Sequence, residues 1–480
     1  MLDISPRLEE GGEPLYLQLY QYFCTEIRER RLPSGTRLPS VRALSKFLHM
    51  SKTTVESAYH QLLAEGYIES RERSGFYVVD ISWDGAIRVK KSGGGGSVAK
   101  KEWTDPEVPF PSIPFRYDFH QARVDPDSFP FELWRKYTNQ VTRSENKSLL
   151  YYGDRQGEPE LRQELARYLR RARGVQATAE QIVIGAGTQT MINLLGCLFG
   201  MRGQAVAMEE PGYQGVRRVF LNQGFDVRPI PLEEDGIDVQ RLSESGARLV
   251  YITPSHQDPT GIVMPYAKRL KMLQWARQVE GYIIEDDYDG EFRYHGRPIP
   301  SLQGLDTAGR VIYLGTFSKS LLPSIRVSYM VLPEALLPLY QEHLADYDQS
   351  ASRIHQQTLA LFMKMGDWER HIRKMRTLYK NKHDALLGFL REEMGDSIRI
   401  TGHDAGISVT VEVRSSCTSQ ELTERAASAG IRVYPTDHKW LHPTRQGHPS
   451  FQFGFGGQTV EEMEAGIRLL GEIWRPTFQG

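Results

Sequence analysis

Tyr282-Ile283-Ile284-Glu285-Asp286-Asp287-Tyr288 and, further along, Val311-Ile312-Tyr313-Leu314-Gly315-Thr316-Phe317-Ser318-Lys319 are two short apolar runs that each end in chemistry. The first closes on acids and a phenol. The second closes on hydroxyls and a lysine, with Arg326 seven positions beyond it. Apolar runs of this length read as strands buried on both faces. Side chains two apart on a strand share a face, so Asp286 and Tyr288 should point one way and Asp287 the other. Similar runs recur at Ile182-Val183-Ile184, Ala205-Val206-Ala207-Met208, Leu249-Val250-Tyr251-Ile252 and Val327-Ser328-Tyr329-Met330-Val331, several separated by helical segments. Strands alternating with helices predict an α/β domain whose mixed, mostly parallel sheet is covered on both faces. From about residue 335 a long helical stretch leads into a smaller α+β subdomain, with strands expected within 406–413 and 450–455.

Upstream the pattern changes. Leu15, Leu19, Tyr22, Phe23 and Ile27 recur at helical spacing after Pro14. Leu38-Pro39-Ser40 offers a stop and an N-cap, and Val41, Leu44 and Leu48 line the next helix. Ser51 can cap a third helix with Val55, Ala58 and Leu62 inward and Gly66 at its end. Tyr67-Ile68-Glu69-Ser70 and Gly75-Phe76-Tyr77-Val78-Val79 read as a hairpin, which completes a winged helix-turn-helix. Between the two patterns stand Ser92-Gly93-Gly94-Gly95-Gly96-Ser97 and then Pro106, Pro109, Pro111 and Pro114. That composition suits a flexible tether better than a loop inside a domain. The expected division is 1–80 for the DNA-binding module, 81–116 for the linker, and 117–480 for the large domain.

Charge distribution supports the module's task where net charge does not. Residues 1–80 carry ten basic and eleven acidic side chains, yet from Arg37 to Val55 there are four basic residues and no acid. Short polar groups at a helix N-terminus can approach base edges and phosphates. Over the whole chain, 40 % hydrophobic and 25 % charged residues are those of a globular protein, and a net charge of -1 argues for no bulk partner. Cys24, Cys197 and Cys417 lie far apart, so no metal site or disulfide framework is expected and a reducing cytoplasm is the simplest setting. No signal peptide and no membrane span are indicated.

An amine, an acid, a phenol, hydroxyls and an arginine, each at a strand end, are what a pyridoxal 5'-phosphate (PLP) site requires. Lys319 is the candidate for the aldimine. Asp286 suits the ring nitrogen, which a carboxylate keeps protonated, and Tyr288 the 3'-oxygen. Gly185-Ala186-Gly187-Thr188-Gln189 follows a strand and opens a helix, so Gly187 and Thr188 can hold the phosphate with Ser318, Thr316 and Arg326. Tyr213, in Glu210-Pro211-Gly212-Tyr213, can stack on the ring. Singly, each has an ordinary structural explanation; the order and spacing of the set argue for the site.

The stretches around Leu38-Pro39-Ser40-Val41-Arg42, Met50-Ser51-Lys52-Thr53-Thr54-Val55 and Ser74-Gly75-Phe76-Tyr77-Val78 resemble the GntR-type winged helix. That resemblance implies DNA contacts for Arg42, Ser51, Lys52, Thr53 and Thr54, and for Arg71 and Arg73 in the wing. Residues 115–475 resemble fold-type I aminotransferases, through Tyr152-Gly153-Asp154-Arg155-Gln156-Gly157, Pro254-Ser255-His256-Gln257-Asp258-Pro259-Thr260-Gly261 and the lysine block. It implies that Tyr152 reaches the phosphate in a partner subunit of a head-to-tail homodimer. The order of modules resembles the MocR/GabR family of transcription regulators. It implies a DNA-binding regulator that senses PLP or a small amino compound and acts on promoter DNA as activator or repressor. At most it would retain vestigial transaminase half-reactions. The alternative is a working aminotransferase with an accessory DNA-binding module.

Two departures from the aminotransferase pattern stand out. Asp258 replaces the asparagine that meets the 3'-oxygen, and an ionised acid beside a phenolate is repelled, so Asp258 is expected to turn away or be protonated. Gly457 stands where a carboxylate-gripping arginine is expected, with Arg432 and Arg445 as unplaced neighbours in sequence.

Overall fold

A computed structural model describes residues 6, 13–71, 74–80, 115–200, 203–294, 299–344, 347–442 and 447–478. The chain divides into two compact units, residues 1–107 and 108–480. Apart from Phe115 and Arg116, the expected linker lies outside the described residues, as do Arg73 and Arg445.

In the first unit, helices α1 (Leu15–Arg28), α2 (Val41–Phe47) and α3 (Lys52–Ala64) precede a hairpin of β1 (Ile68–Arg71) and β2 (Gly75–Val78). The caps stand where the sequence predicts them. Ser40 Oγ accepts from the Ala43 amide at 3.2 Å and Ser51 Oγ from the Thr54 amide at 3.1 Å. Leu19, Phe23, Leu44, Val55, Ala58 and Leu62 are buried together, so the helical stripes become one small core. This is the winged helix-turn-helix.

The second unit opens with β3 (Tyr117–Asp118) and builds an eight-stranded sheet from β4 (Ile182–Gly185), β5 (Ala205–Glu210), β6 (Asp226–Glu233), β7 (Gly236–Ile237), β8 (Leu249–Ile252), β9 (Tyr282–Asp287), β10 (Val311–Thr316) and β11 (Ser328–Val331). The order is β4-β11-β10-β9-β8-β5-β6-β7. Strands β6, β5, β8, β9 and β10 run parallel, while β11 is antiparallel to both its neighbours. The strand ends at Gly185, Glu210, Ile252, Asp287 and Thr316 therefore share one edge, where open α/β sheets gather ligands. Helices Arg353–Lys364 and Asp367–Met394 lead to a small sheet that includes Ser408–Val413 and Ser450–Gly454. No helix of the described residues is long and apolar enough to cross a membrane.

The sequence reading omits β6, whose Asp-Val-Arg-Pro-Ile-Pro-Leu-Glu lacks an apolar run. Its prolines are tolerated because β5 pairs along much of one side, whereas β7 covers only Leu232 and Glu233 on the other.

Strand β9 carries three consecutive acids that the pleat separates. Glu285 is fully buried and accepts from the Leu302 and Gln303 amides at 2.8 and 2.9 Å, with Arg269 Nη1 at 3.4 Å. Arg269 also donates to the carbonyls of Met264, Pro254 and Pro300. Removing the Glu285 carboxylate strands a buried guanidinium. Glu285→Ala should lower unfolding free energy by about 3–5 kcal/mol, read as the urea midpoint at constant m-value.

Candidate coenzyme site

A cavity of about 460 Å³ opens at the shared strand edge. Of the residues predicted for the coenzyme, Lys319, Asp286, Tyr288, Gly187, Thr188, Tyr213, Thr316, Ser318 and Arg326 all line it. Tyr152 does not. It is 94 % exposed, and with Leu150 at 80 % and Tyr151 at 73 % it forms an apolar run turned to solvent.

Lys319 follows β10 in the turn that leads to Arg326 and β11. Its Nζ donates to the Gln121 carbonyl at 2.7 Å and stands 5.9 Å from the Tyr288 ring centre. Burial lowers its pKa from the ordinary lysine value, against the opposing charges of Asp289 and Asp258.

Asp286 lies at the inner end of β9. Its Oδ2 accepts from the Tyr251 hydroxyl at 2.6 Å, while Oδ1 is buried with no hydrogen-bond partner among the described residues. Burial pushes its pKa up to about 7, with the Tyr251 hydrogen bond opposing the shift. Its neighbour Asp287 faces away, as predicted, and binds Arg173 Nε and the Tyr313 hydroxyl, each at 2.6 Å. Glu209, Asp287 and Asp289 also have an unpaired buried carboxylate oxygen, but of these acids only Asp286 lines the cavity.

The anion cradle combines a helix start with a cation. Gly187 caps the helix Thr188–Phe199 at φ +99°, and a Cβ there would fall 2.0 Å from Arg326 Nη2. Only glycine lets that guanidinium approach the amide ends of the helix. Arg326 itself holds φ +51° and donates to the Ala186 carbonyl at 3.3 Å. Thr316, Ser318 and Ser328 form a hydroxyl cluster at the end of β10, with the Ser328 hydroxyl 2.8 Å from Thr316 Oγ1.

One expectation changes. Asp258 neither turns away nor takes up a proton: it lines the cavity, and its Oδ2 accepts from Lys439 Nζ at 2.7 Å while Oδ1 accepts from Gln452 at 3.1 Å. Burial raises its pKa, but the Lys439 charge and these hydrogen bonds outweigh that and hold it below the ordinary carboxylate value. Tyr288 lines the cavity, but its hydroxyl donates to the His256 carbonyl at 2.7 Å. His256 in turn meets Asp289 at 2.8 Å. Lys439 and Tyr251 are missed by sequence reasoning. Tyr251 carries the signal of an inward position on β8; Lys439 sits in no motif and meets Asp258 only through the fold.

Gly457 lies against Arg123. A Cβ on Gly457 would come within 2.6 Å of Arg123 Cβ, and one on Gly456 within 2.2 Å of the Arg123 carbonyl oxygen. Arg123 pairs with Asp118 at 2.7 Å, and the Arg432 guanidinium lies over the Phe115 and Tyr434 rings at 5.5 and 5.4 Å.

In the first unit, Arg42, Ser51, Lys52 and Thr53 are exposed at the starts of α2 and α3, and Thr54 is half-buried. Ser51 also bonds the hydroxyls of Thr53 and Thr54. Arg71 is exposed, pairs with Glu69 at 2.7 Å and stacks 4.4 Å from the Tyr77 ring centre.

Comparisons with known proteins agree with both units. The family model for bacterial regulatory proteins of the gntR family matches residues 15–78, and that for aminotransferase class I and II matches residues 121–444. The chain is 40 % identical to the HTH-type transcriptional regulator YhdI of Bacillus subtilis, across 99 % of each chain. It is 33 % identical to the probable rhizopine catabolism regulatory protein MocR of Rhizobium meliloti, across 96 % of this chain and 94 % of that one. Among solved structures, the Pyrococcus horikoshii kynurenine aminotransferase, crystallised with PMP, superposes with a TM-score of 0.67 at 28 % identity, covering 76 % of this chain and 91 % of that one.

The raised pKa of Asp286 sets a pH dependence. The folded protein keeps a proton that the unfolded chain releases above about pH 4. Stability from this group therefore falls as pH rises from about 4 to about 7 and is level above that. Glu209 and Glu291, also raised to about 7 by burial, act in the same direction. In dialysed, ligand-free protein, Asp286→Asn should flatten this decline without abolishing it, as read from urea midpoints across the window.

Proposed function

We propose, for a chain that belongs to the MocR/GabR type of DNA-binding transcriptional regulators, that the large unit binds PLP at Lys319 and reports its occupancy, or that of a small amino compound, to the winged helix. The observation that carries this is one cavity holding a desolvated amine, a buried carboxylate oxygen without a donor, and a glycine-lined helix start facing an arginine. Those three groups fit the coenzyme's aldehyde, pyridinium and phosphate.

When bound, PLP supplies an aldehyde that condenses reversibly with primary amines. The chain's own residues do the rest. Asp286 Oδ1 takes the ring N–H, and a cation there stabilises the ionised carboxylate that burial disfavours. Gly187, Thr188, Ser318, Thr316 and Arg326 hold the phosphate. Tyr213 packs on the ring. Lys319, with its lowered pKa, offers an unprotonated amine at a lower pH than a free lysine does.

The protein acts as a cytoplasmic homodimer, arranged head to tail, in which Tyr152 of each subunit completes the other's phosphate site. The exposed run Leu150-Tyr151-Tyr152 supports that pairing, since three adjacent large apolar side chains in water are costly for a monomer. On DNA, Arg42, Lys52 and Thr53 meet phosphates and base edges from the helix starts, and Arg71 follows from the wing. An effector shifts the regulator only through unequal affinity for its two states. The closed space at Gly456 and Gly457 supports a sensor over an amino-acid transaminase, because no arginine side chain fits at 457 beside Arg123.

Three outcomes test this. Titrating PLP should give a coloured species that borohydride fixes on Lys319 in the peptide map. Lys319→Ala should abolish both the colour and the ligand's effect on promoter binding while leaving the winged helix folded. In a gel-shift series over salt concentration, Arg42→Ala should weaken promoter binding and reduce the log–log salt slope by about one.

A further inference from the structure

The cavity contains an ion pair that the coenzyme's three anchors do not use. Lys439 Nζ and Asp258 Oδ2 are 2.7 Å apart, with side-chain exposures of only 6 % and 12 %. The ammonium lies 5.6 Å from the centre of the Tyr213 ring. Its backbone is stitched to the segment that carries that ring. The Lys439 carbonyl accepts from Arg217 Nη2 at 2.8 Å and from the Gly212 amide at 3.1 Å, and the Leu441 amide donates to Glu210 at 2.6 Å. Three hydrogen bonds therefore hold the backbone around Lys439 beside the Tyr213 segment.

The chemistry of the coenzyme decides what it meets. On the pyridine ring, the phosphate arm and the phenolic oxygen flank the aldehyde on opposite sides. With the nitrogen on Asp286, the aldehyde at Lys319 and the phosphate in the cradle of Gly187 and Arg326, the oxygen faces lining that the cradle does not use. Thr253, Tyr288, Asp258 and Lys439 are among the polar side chains that line the cavity outside the three anchors. Thr253 gives its hydroxyl proton to Glu209 at 2.9 Å. The Tyr288 hydroxyl lies 2.7 Å from the His256 carbonyl and 3.3 Å from His256 Nδ1. Asp258 is held as an anion and has no proton to give. Lys439 has three, of which Asp258 takes one.

We propose that Lys439 is a coenzyme-binding residue, donating from Nζ to the ring oxygen of PLP, with Asp258 and Gln452 as the residues that position it. This rests on the PLP reading above. The pair replaces a neutral donor by two opposite charges. The ammonium faces the oxygen, and the carboxylate that would repel a phenolate is neutralised behind it.

The test compares PLP with 3-deoxypyridoxal 5'-phosphate, in which hydrogen replaces the ring hydroxyl, by absorbance titration of the full-length protein. Lys439→Met should weaken PLP about tenfold or more, the scale of a hydrogen bond to a charged group. It should leave the deoxy analogue's affinity unchanged. Adding Asp258→Asn to Lys439→Met removes the exposed anion and should recover part of the PLP affinity. Equal weakening of both ligands would show a merely structural role, and undiminished PLP binding would show no contact; either overturns the inference while the PLP reading stands. Wild-type protein that binds neither ligand and traps nothing on Lys319 overturns both.

Discussion

One buried carboxylate oxygen, Asp286 Oδ1, governs the large unit. It has no donor among the described residues. The pleat of β9 commits Asp287 to Arg173 and Tyr313, and Glu285 to Arg269 and two helix amides. Three acids in a row would repel one another in most settings. Here two carry their own cations, and the third is left facing a cavity where burial makes ionisation costly. Two further features line the same cavity. A glycine that admits Arg326 to a helix start supplies one end, and an amine with little water around it supplies the other.

Much of this was legible in the sequence because it depended on short-range rules. Period-two alternation separated Asp286 from Asp287, and apolar runs located most strands of the main sheet. Ser40 and Ser51 announced their helices through the spacing to the first apolar residue. The lysine block could be read because its parts lie within a few residues of one another and of a strand end.

What escaped depended on the completed fold. Strand β6 has prolines and charges that suit it only because most of one side has no ladder. Lys439 stands 181 positions from Asp258 and belongs to no motif, so the neutralisation of that acid could not be anticipated. The expectation that Asp258 would avoid the site or be protonated assumed that it was alone. The commitment of Tyr288 to a backbone carbonyl likewise follows from where the chain after β8 passes, not from the spacing along β9.

The contact between Gly457 and Arg123 bears on how this chain can change. A side chain installed at 457 meets the stem of Arg123 at 2.6 Å, and neighbouring Gly456 is closed by backbone. Shortening that arginine leaves its Cβ, the atom at 2.6 Å, in place, so only glycine at 123 removes the clash. A route to a carboxylate clamp at 457 must therefore pass through position 123 first, giving up the ion pair with Asp118 before any new grip is available. A side chain at 457 and the Arg123–Asp118 ion pair therefore exclude one another on this backbone.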